Sequence, residues 1–328
     1  TLNRLEHGQH SQHRYKKILC NEAAAASLFV EKFISRRSQI PIRLILDLDA
    51  TDDPLHGDQE GRFFHGYYDC YCYMPLYIFC GSELLCARLQ PSDRDAGKNC
   101  VEDVARIVDQ LRQAWPEVQI ILRADSGFAR NELMSWCEEH GVDYLFGYAR
   151  NARTQRMMAP AMETVRRWYE LTGLPARCFM ELKYQTRKSW TRKRRMIAKA
   201  EFLDKGANPR FVVTSLSAAE FPARKLYEEV YCARGDMENR IKEQQLDLFA
   251  DRTSTATMKA NQIRLWLSSV AYCMLNDLRE LGLQGTRMAK AQCGTIRTRL
   301  MKIGAGISVS AVAYTHLTLP PTLPRGGA

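Results

Sequence analysis

The sequence predicts an α/β fold, a mixed sheet flanked by helices, and three observations carry that reading. Apolar runs rich in β-branched and aromatic residues alternate with segments of helical spacing, in the order strand, strand, strand, helix, strand, helix, strand over residues 42–148. The 328 residues, 45% of them hydrophobic, suffice for roughly two domains with a buried core. No apolar run approaches the ~20 residues that cross a bilayer. Charged residues at 26% and aromatics at 9% belong to a folded chain rather than a disordered one.

The elements follow in order. Residues 22–36 are Ala-rich with apolar spacing that suits a helix. Residues 42–50 (IRLILDLDA) read as a buried strand ending in acid. After a turn containing Pro54, Gly57 and Gly61, strands are expected over 67–73 and 76–88, with Gly81 between pieces, as a hairpin or meander. Val101, Val104, Val108, Leu111 and Trp115 recur at steps of three and four, which predicts a helix over 100–115. Residues 118–124 (VQIILRA) form another strand that runs into an acid, Asp125, and a turn of Asp-Ser-Gly. A helix over 130–140 and a strand over 143–148 complete the alternation.

The segment 150–200 breaks the pattern. It reads as a helix near 160–171 and strands over 179–184 and 195–202, and residues 211–215 resemble a return to the sheet. Two long helices are expected over 224–249 and 258–281. Residues 306–328 contain one charged residue, Arg325, with Pro320, Pro321 and Pro324, and look foreign to the rest.

Charge is as uneven as structure. The chain carries 47 Lys and Arg against 37 Asp and Glu, a net charge of +10. Residues 150–200 alone hold fourteen basic residues against three acidic ones. The rest is therefore near neutral, and clustered charge favours a polyanion, nucleic acid first. The densest part includes Arg187, Lys188, Arg192, Lys193, Arg194 and Arg195 around Trp190, whose ring is a candidate platform for an unpaired base. Eleven cysteines without a CxxC pair predict reduced, buried thiols in a cytoplasmic protein.

Two acids, Asp49 and Asp125, stand at the ends of strands, where α/β sheets build their sites. A third, Glu238, lies on the helix near Arg234. At about 100° per residue, Arg234, Glu238 and Gln245 share a face while Met237, Ile241 and Leu248 form an apolar side. Three carboxylates from two strands and a helix suit a hard cation such as Mg²⁺, which keeps water and phosphate oxygens in its shell. Two such ions about 3.5–4 Å apart would serve in-line phosphoryl displacement.

The stretches LDLDATDD around Asp49, LRADSGF around Asp125 and YCARGDMENRIKEQQLDLFADRTST around Glu238 resemble the DDE transposases of bacterial insertion sequences, and the similarity runs from Leu2 to Ala305. Tyr231, Arg234 and Glu238 match the Tyr-x2-Arg-x3-Glu-x6-Lys signature of one branch. Gln245 stands at the Lys position, and Lys242, one turn earlier, is the expected substitute. The resemblance implies an RNase H-like core with a mainly β insertion between the second Asp and the Glu. It makes Asp49, Asp125 and Glu238 the catalytic and metal-binding triad for two Mg²⁺ ions, with Mn²⁺ as a substitute. Tyr231 and Arg234 would grip the backbone of double-stranded DNA, at the transposon ends and the target. A homodimer on DNA, associated with the bacterial nucleoid, is expected.

The implied organisation is a helical lead-in over 1–40, left from a missing N-terminal DNA-recognition region, and a first core part over 41–150. A basic insertion over 151–215, C-terminal core helices over 216–305 and the atypical tail follow. Two other readings compete. A DNA-binding remnant without catalysis needs only the basic segment. Asp47-Leu-Asp49-Ala-Thr51 also fits the DxDxT opening of haloacid dehalogenase-type phosphatases, with Asp47 as nucleophile. In the transposase reading, Asp47 shares a strand face with Asp49 and supports the metal site from behind.

Overall fold

The structure, a computed structural model, describes residues 20–93 and 97–302 and the backbone of two short strands beyond them. Helix α1 (Glu22–Ser35), capped by the Asn21 side chain, leads into β1 (Arg43–Ala50). β2 (Asp53–Pro54), β3 (Phe63–His65) and β4 (Cys70–Tyr73) make a small separate sheet in the order β2-β4-β3. β5 (Leu76–Cys80) and β6 (Glu83–Arg88) form the expected hairpin, turned at Gly81 with φ +62°. Then come α2 (Cys100–Ala114), β7 (Gln119–Ala124), α3 (Asn131–Glu139), β8 (Asp143–Tyr148) and α4 (Ala152–Thr172). β9 (Ala176–Tyr184), β10 (Arg194–Leu203), β11 (Gly206–Ala207) and β12 (Arg210–Thr214) complete the strands that build the main sheet. A helical run over 223–247 passes through π and 3-10 turns around one regular piece, α5 (Gly235–Lys242). Helix α6 (Met258–Asp277) follows.

The main sheet has nine strands in the order β11-β10-β12-β8-β7-β1-β5-β6, with β9 on the other edge of β10. β1, β7 and β8 are parallel and the remaining pairings antiparallel, so the sheet is mixed and helices flank it, as the alternation predicts. The period-2 alternation of strands sorts side chains between two layers. Leu44, Leu46 and Leu48 of β1, with Ile120 and Leu122 of β7, enter a large core that includes residues of α1 to α4. Ile121, Leu145, Ile197 and Val212 face the opposite way, into a smaller core with Leu226 and Tyr227 of the 223–247 run.

The segment 151–215 is part of this sheet rather than set apart from it. β12 pairs with β8 and β10 with β12, so its strands extend the parallel centre at one edge. The helix expected near 160–171 also starts earlier, at Ala152. Asn151 and Thr154 close a capping box there, and Pro160 sits inside the helix instead of opening it.

The chain divides into two compact units, Thr1–Cys273 and Met274–Ala328. Within the second unit, short helical turns at Cys293–Ile296 and Arg297–Met301 precede two antiparallel strands, β13 (Gly306–Val309) and β14 (Thr315–Thr318). Among the described residues no helix is long and apolar enough to cross a membrane.

Candidate functional site

On the β1 face opposite the leucines, Ile45, Asp47 and Asp49 follow one another toward the strand's carboxyl end. The parallel register sets Asp47 opposite Arg123 and Leu48 opposite Ala124. Asp49 and Asp125 therefore come next, together, where the two strands end. Asp125 leaves the sheet in a tight turn: its Oδ1 accepts from the Gly127 amide at 2.9 Å and caps the 3-10 turn Ser126–Phe128.

Arg234, the residue before α5, joins the end of β1 to that helix. Its guanidinium lies 3.7 Å from Asp49 Oδ2 and 3.3 Å from Glu238 Oε1. Met237 and Ile241 of α5 are buried, which turns Arg234 and Glu238 toward the acids, while Glu238 keeps about half of its side chain in solvent. Burial pushes the Asp49 carboxyl up to about 7; Arg234 opposes that rise, and the negative charges of Asp125 and Glu238 add to it. The three acids named by sequence are thus one electrostatic neighbourhood.

The donors suit a divalent cation in kind, since they are carboxylate oxygens, the atoms such hard cations take. Among the described residues, however, no three His, Cys, Asp or Glu side chains gather tightly enough to hold a metal ion as they stand. Arg234 stands between Asp49 and Glu238 and faces both.

Tyr231 stands over Gly147 of β8. A Cβ at Gly147 would lie 2.5 Å from the tyrosine hydroxyl, so only glycine lets the ring in beside Ser126 and Asp125. Asp125, Tyr231 and Arg234 line one wall of a cleft of about 490 Å³, and Arg150 and Arg210 line it at the ends of β8 and β12. Both arginines are exposed and lack a carboxylate partner among the described residues.

The basic segment does not act as a unit. Arg187, Lys188 and Lys193 are exposed. Arg192, also exposed, pairs with Glu138 at 3.2 Å. Trp190 is buried, packed edge-on against Tyr148 and Tyr184, so its faces are not offered to a base. Arg194 is buried and bonds Glu138, Asn131 and Ser135. Arg195 clamps Glu181 and the carbonyls of Leu216 and Phe221. These three assignments to DNA are corrected: clustering in sequence counted charges that the sheet spends internally. Lys242 is exposed. Gln245, at the departed position, donates to the Asp52 carbonyl at 2.9 Å and ties the helical run to the loop after β1.

Sequence reasoning passed over Arg123 and Gly147. Arg123 was visible as a charge in the apolar run IILRA, which is itself a signal. Its fork binds both oxygens of Asp47, at 2.5 and 2.7 Å. Asp47 is thereby buried and occupied, in no position to attack a phosphate ester, which removes the phosphatase reading.

A family model described as transposase DDE domain, group 1, matches residues 1–326. A comparison with curated proteins finds no match. Among solved structures, a piggyBac transposase in a synaptic complex with hairpin DNA is similar at 11% identity and a TM-score of 0.41, over 78% of this chain and 51% of that one. The chain thus spans about half the length of that transposase. A Ciona intestinalis endonuclease V, bound to inosine-containing DNA, is similar at 10% identity and a TM-score of 0.30, over 79% of this chain and 100% of that one. The extent of the family match, over strand ends and helix alike, settles the affiliation: the chain belongs to the DDE transposase domain family, group 1.

Proposed function

We propose that this chain is the catalytic domain of an insertion-sequence transposase, cutting and joining double-stranded DNA with Asp49, Asp125 and Glu238 as its acids. The observation that carries the reading is the contact of the β1 end with Glu238 of α5 through Arg234, next to the parallel strand that leads into Asp125 and beside a cleft rimmed by free arginines. Mg²⁺, or Mn²⁺ in its place, held by the three carboxylates would supply Lewis-acid activation of the attacking oxygen and charge neutralisation at the leaving one.

The chain's own residues do the rest. Arg150 and Arg210 draw the phosphodiester strand into the cleft, and Arg234 exchanges its carboxylate partners for a phosphate oxygen, freeing Asp49 and Glu238 for the cation. Tyr231, wedged over Gly147, fixes the strand's lateral position next to Asp125. Water attacks first, and the freed 3′-hydroxyl then attacks the target. The setting is cytoplasmic, on nucleoid DNA, and the working form is a homodimer.

Asp125→Ala is the test. Divalent-dependent nicking of a supercoiled plasmid is expected to fall by at least about 1,000-fold, within the range that electrostatic groups at such sites supply, while duplex affinity stays within twofold. A DNA-binding remnant would show no nicking in the parent chain and nothing for the variant to lose.

A further inference from the structure

We infer that Arg123 is a positioning residue, a buried clasp that holds the helical run carrying Tyr231, Arg234 and Glu238 against the two acid-bearing strands. It rests on the reading of those acids as the catalytic set, and it is carried by one guanidinium's three bonds. Nε donates to Asp47 Oδ1 at 2.5 Å and Nη2 to Asp47 Oδ2 at 2.7 Å. Nη1 donates to the Val230 carbonyl, the residue before Tyr231.

Each contact lies next to a site residue. Arg123 is two residues before Asp125 on β7, and Asp47 two residues before Asp49 on β1. In a strand that spacing means the same face, one step away. The register places Asp47 directly opposite Arg123, so the charged pair forms the rung beneath the ends where Asp49 and Asp125 emerge. Both side chains are nearly closed to solvent, at 8% and 6% exposure. Val230 lies in the π-helical turn Leu226–Tyr231, directly before the 3-10 turn Cys232–Arg234 and α5. The clasp thus grips the run where its winding changes, and π turns of this kind recur at functional sites.

The chemistry requires arginine. The planar fork presents fixed donors, two for the carboxylate and one for the carbonyl, from a single rigid group. Lysine would neutralise Asp47 but could not hold the carboxylate bidentately and reach Val230 as well. The pair is also more than a core filler, because its third bond leaves the sheet for another element.

Two variants separate positioning from folding. Arg123→Lys keeps the buried charge pair and loses the fork. The double variant Asp47→Leu/Arg123→Met replaces the pair with apolar groups, an exchange that buried ion pairs often tolerate without loss of stability. Amide hydrogen exchange on the metal-free protein is the first readout. In both variants the amides of 226–238 are expected to lose at least about tenfold in protection while those of β1 and β7 keep theirs. Nicking is expected to fall about 100-fold, the scale of a small displacement of reacting groups, with duplex affinity unchanged.

A folded variant of either kind with parental protection over 226–238 and parental nicking overturns the clasp. So does protection lost equally in β1, β7 and the run, the mark of a merely structural pair. If the parent chain does not nick DNA at all, the functional reading falls, and the exchange comparison still decides whether Arg123 holds the run.

Discussion

A methyl group at Gly147 would lie 2.5 Å from the Tyr231 hydroxyl and 3.0 Å from the Ser126 amide nitrogen, closer than packed atoms sit. Gly147→Ala is therefore expected to cost about 1–3 kcal/mol, the usual cost of overpacking, and to lower nicking. Tyr231→Phe in the same chain removes the clashing oxygen and should recover most of the stability in denaturant titrations. No recovery would mean that the backbone of Ser126, not Tyr231, sets the limit. Asp49, pushed up to about 7, and Asp53, pushed up to about 8, both owe the rise chiefly to burial. An acid raised in the folded state stabilises while protonated, fully below its unfolded value near 4, and loses that contribution as pH rises through the folded value. The metal-free protein should therefore lose melting temperature as pH climbs from about 4 to about 8. Asp49→Asn should flatten that slope between about 4 and about 7, and Asp53→Asn over the whole range up to about 8. Acids held low by arginine, such as Glu138, act below this window and do not mask it. A melting temperature that is level or rising over the range would contradict the assignment.

At the scale of elements, the β9–β10 connection shows how a basic loop is fastened. Trp190 seats its ring between Tyr148 and Tyr184, its amide donates to Thr186 Oγ1 at 2.8 Å, and the Thr191 amide donates to Asn131 at the start of α3. Trp190→Ala is expected to destabilise the protein by about 3–5 kcal/mol, as large buried aromatics do, while the folded fraction keeps its DNA affinity. A loss of affinity without a loss of stability would restore the ring to the DNA interface. The 223–247 run was legible as a helix because Met237 and Ile241 fall on one side. Its π and 3-10 turns were not legible, and neither were the bonds by which Arg123 and Gln245 hold the run to the sheet and to the loop after β1.

For the whole molecule, charge is divided between holding the sheet together and facing outward. Arg194 and Arg195 belong to the first group; Arg187, Lys188 and Lys193, with Arg150 and Arg210 at the cleft, belong to the second. Each phosphate neutralised adds about 0.9 to the slope of log affinity against log salt. Neutralising Arg187, Lys188 and Lys193 should therefore lower that slope by about one apiece with little change in melting temperature. Neutralising Arg194 should lower melting instead. Anisotropy titrations of a labelled duplex over a range of salt decide this, and an unaltered slope in the triple variant would remove the loop from the interface.

By itself the sequence determined the mixed sheet with its longer strands and helices, and it named the three acids as candidates. Local periodicity and strand-end placement are written in neighbouring residues, and the family pattern lies in short contiguous stretches. Tertiary structure alone decided which charges are spent inside. Arg123 reaches Asp47 across 76 positions and Val230 across 107. Arg194 and Trp190 are buried by strands that pair only once the chain has folded. Partners so far apart in sequence leave no local period, and a guanidinium's role follows from which oxygen it meets.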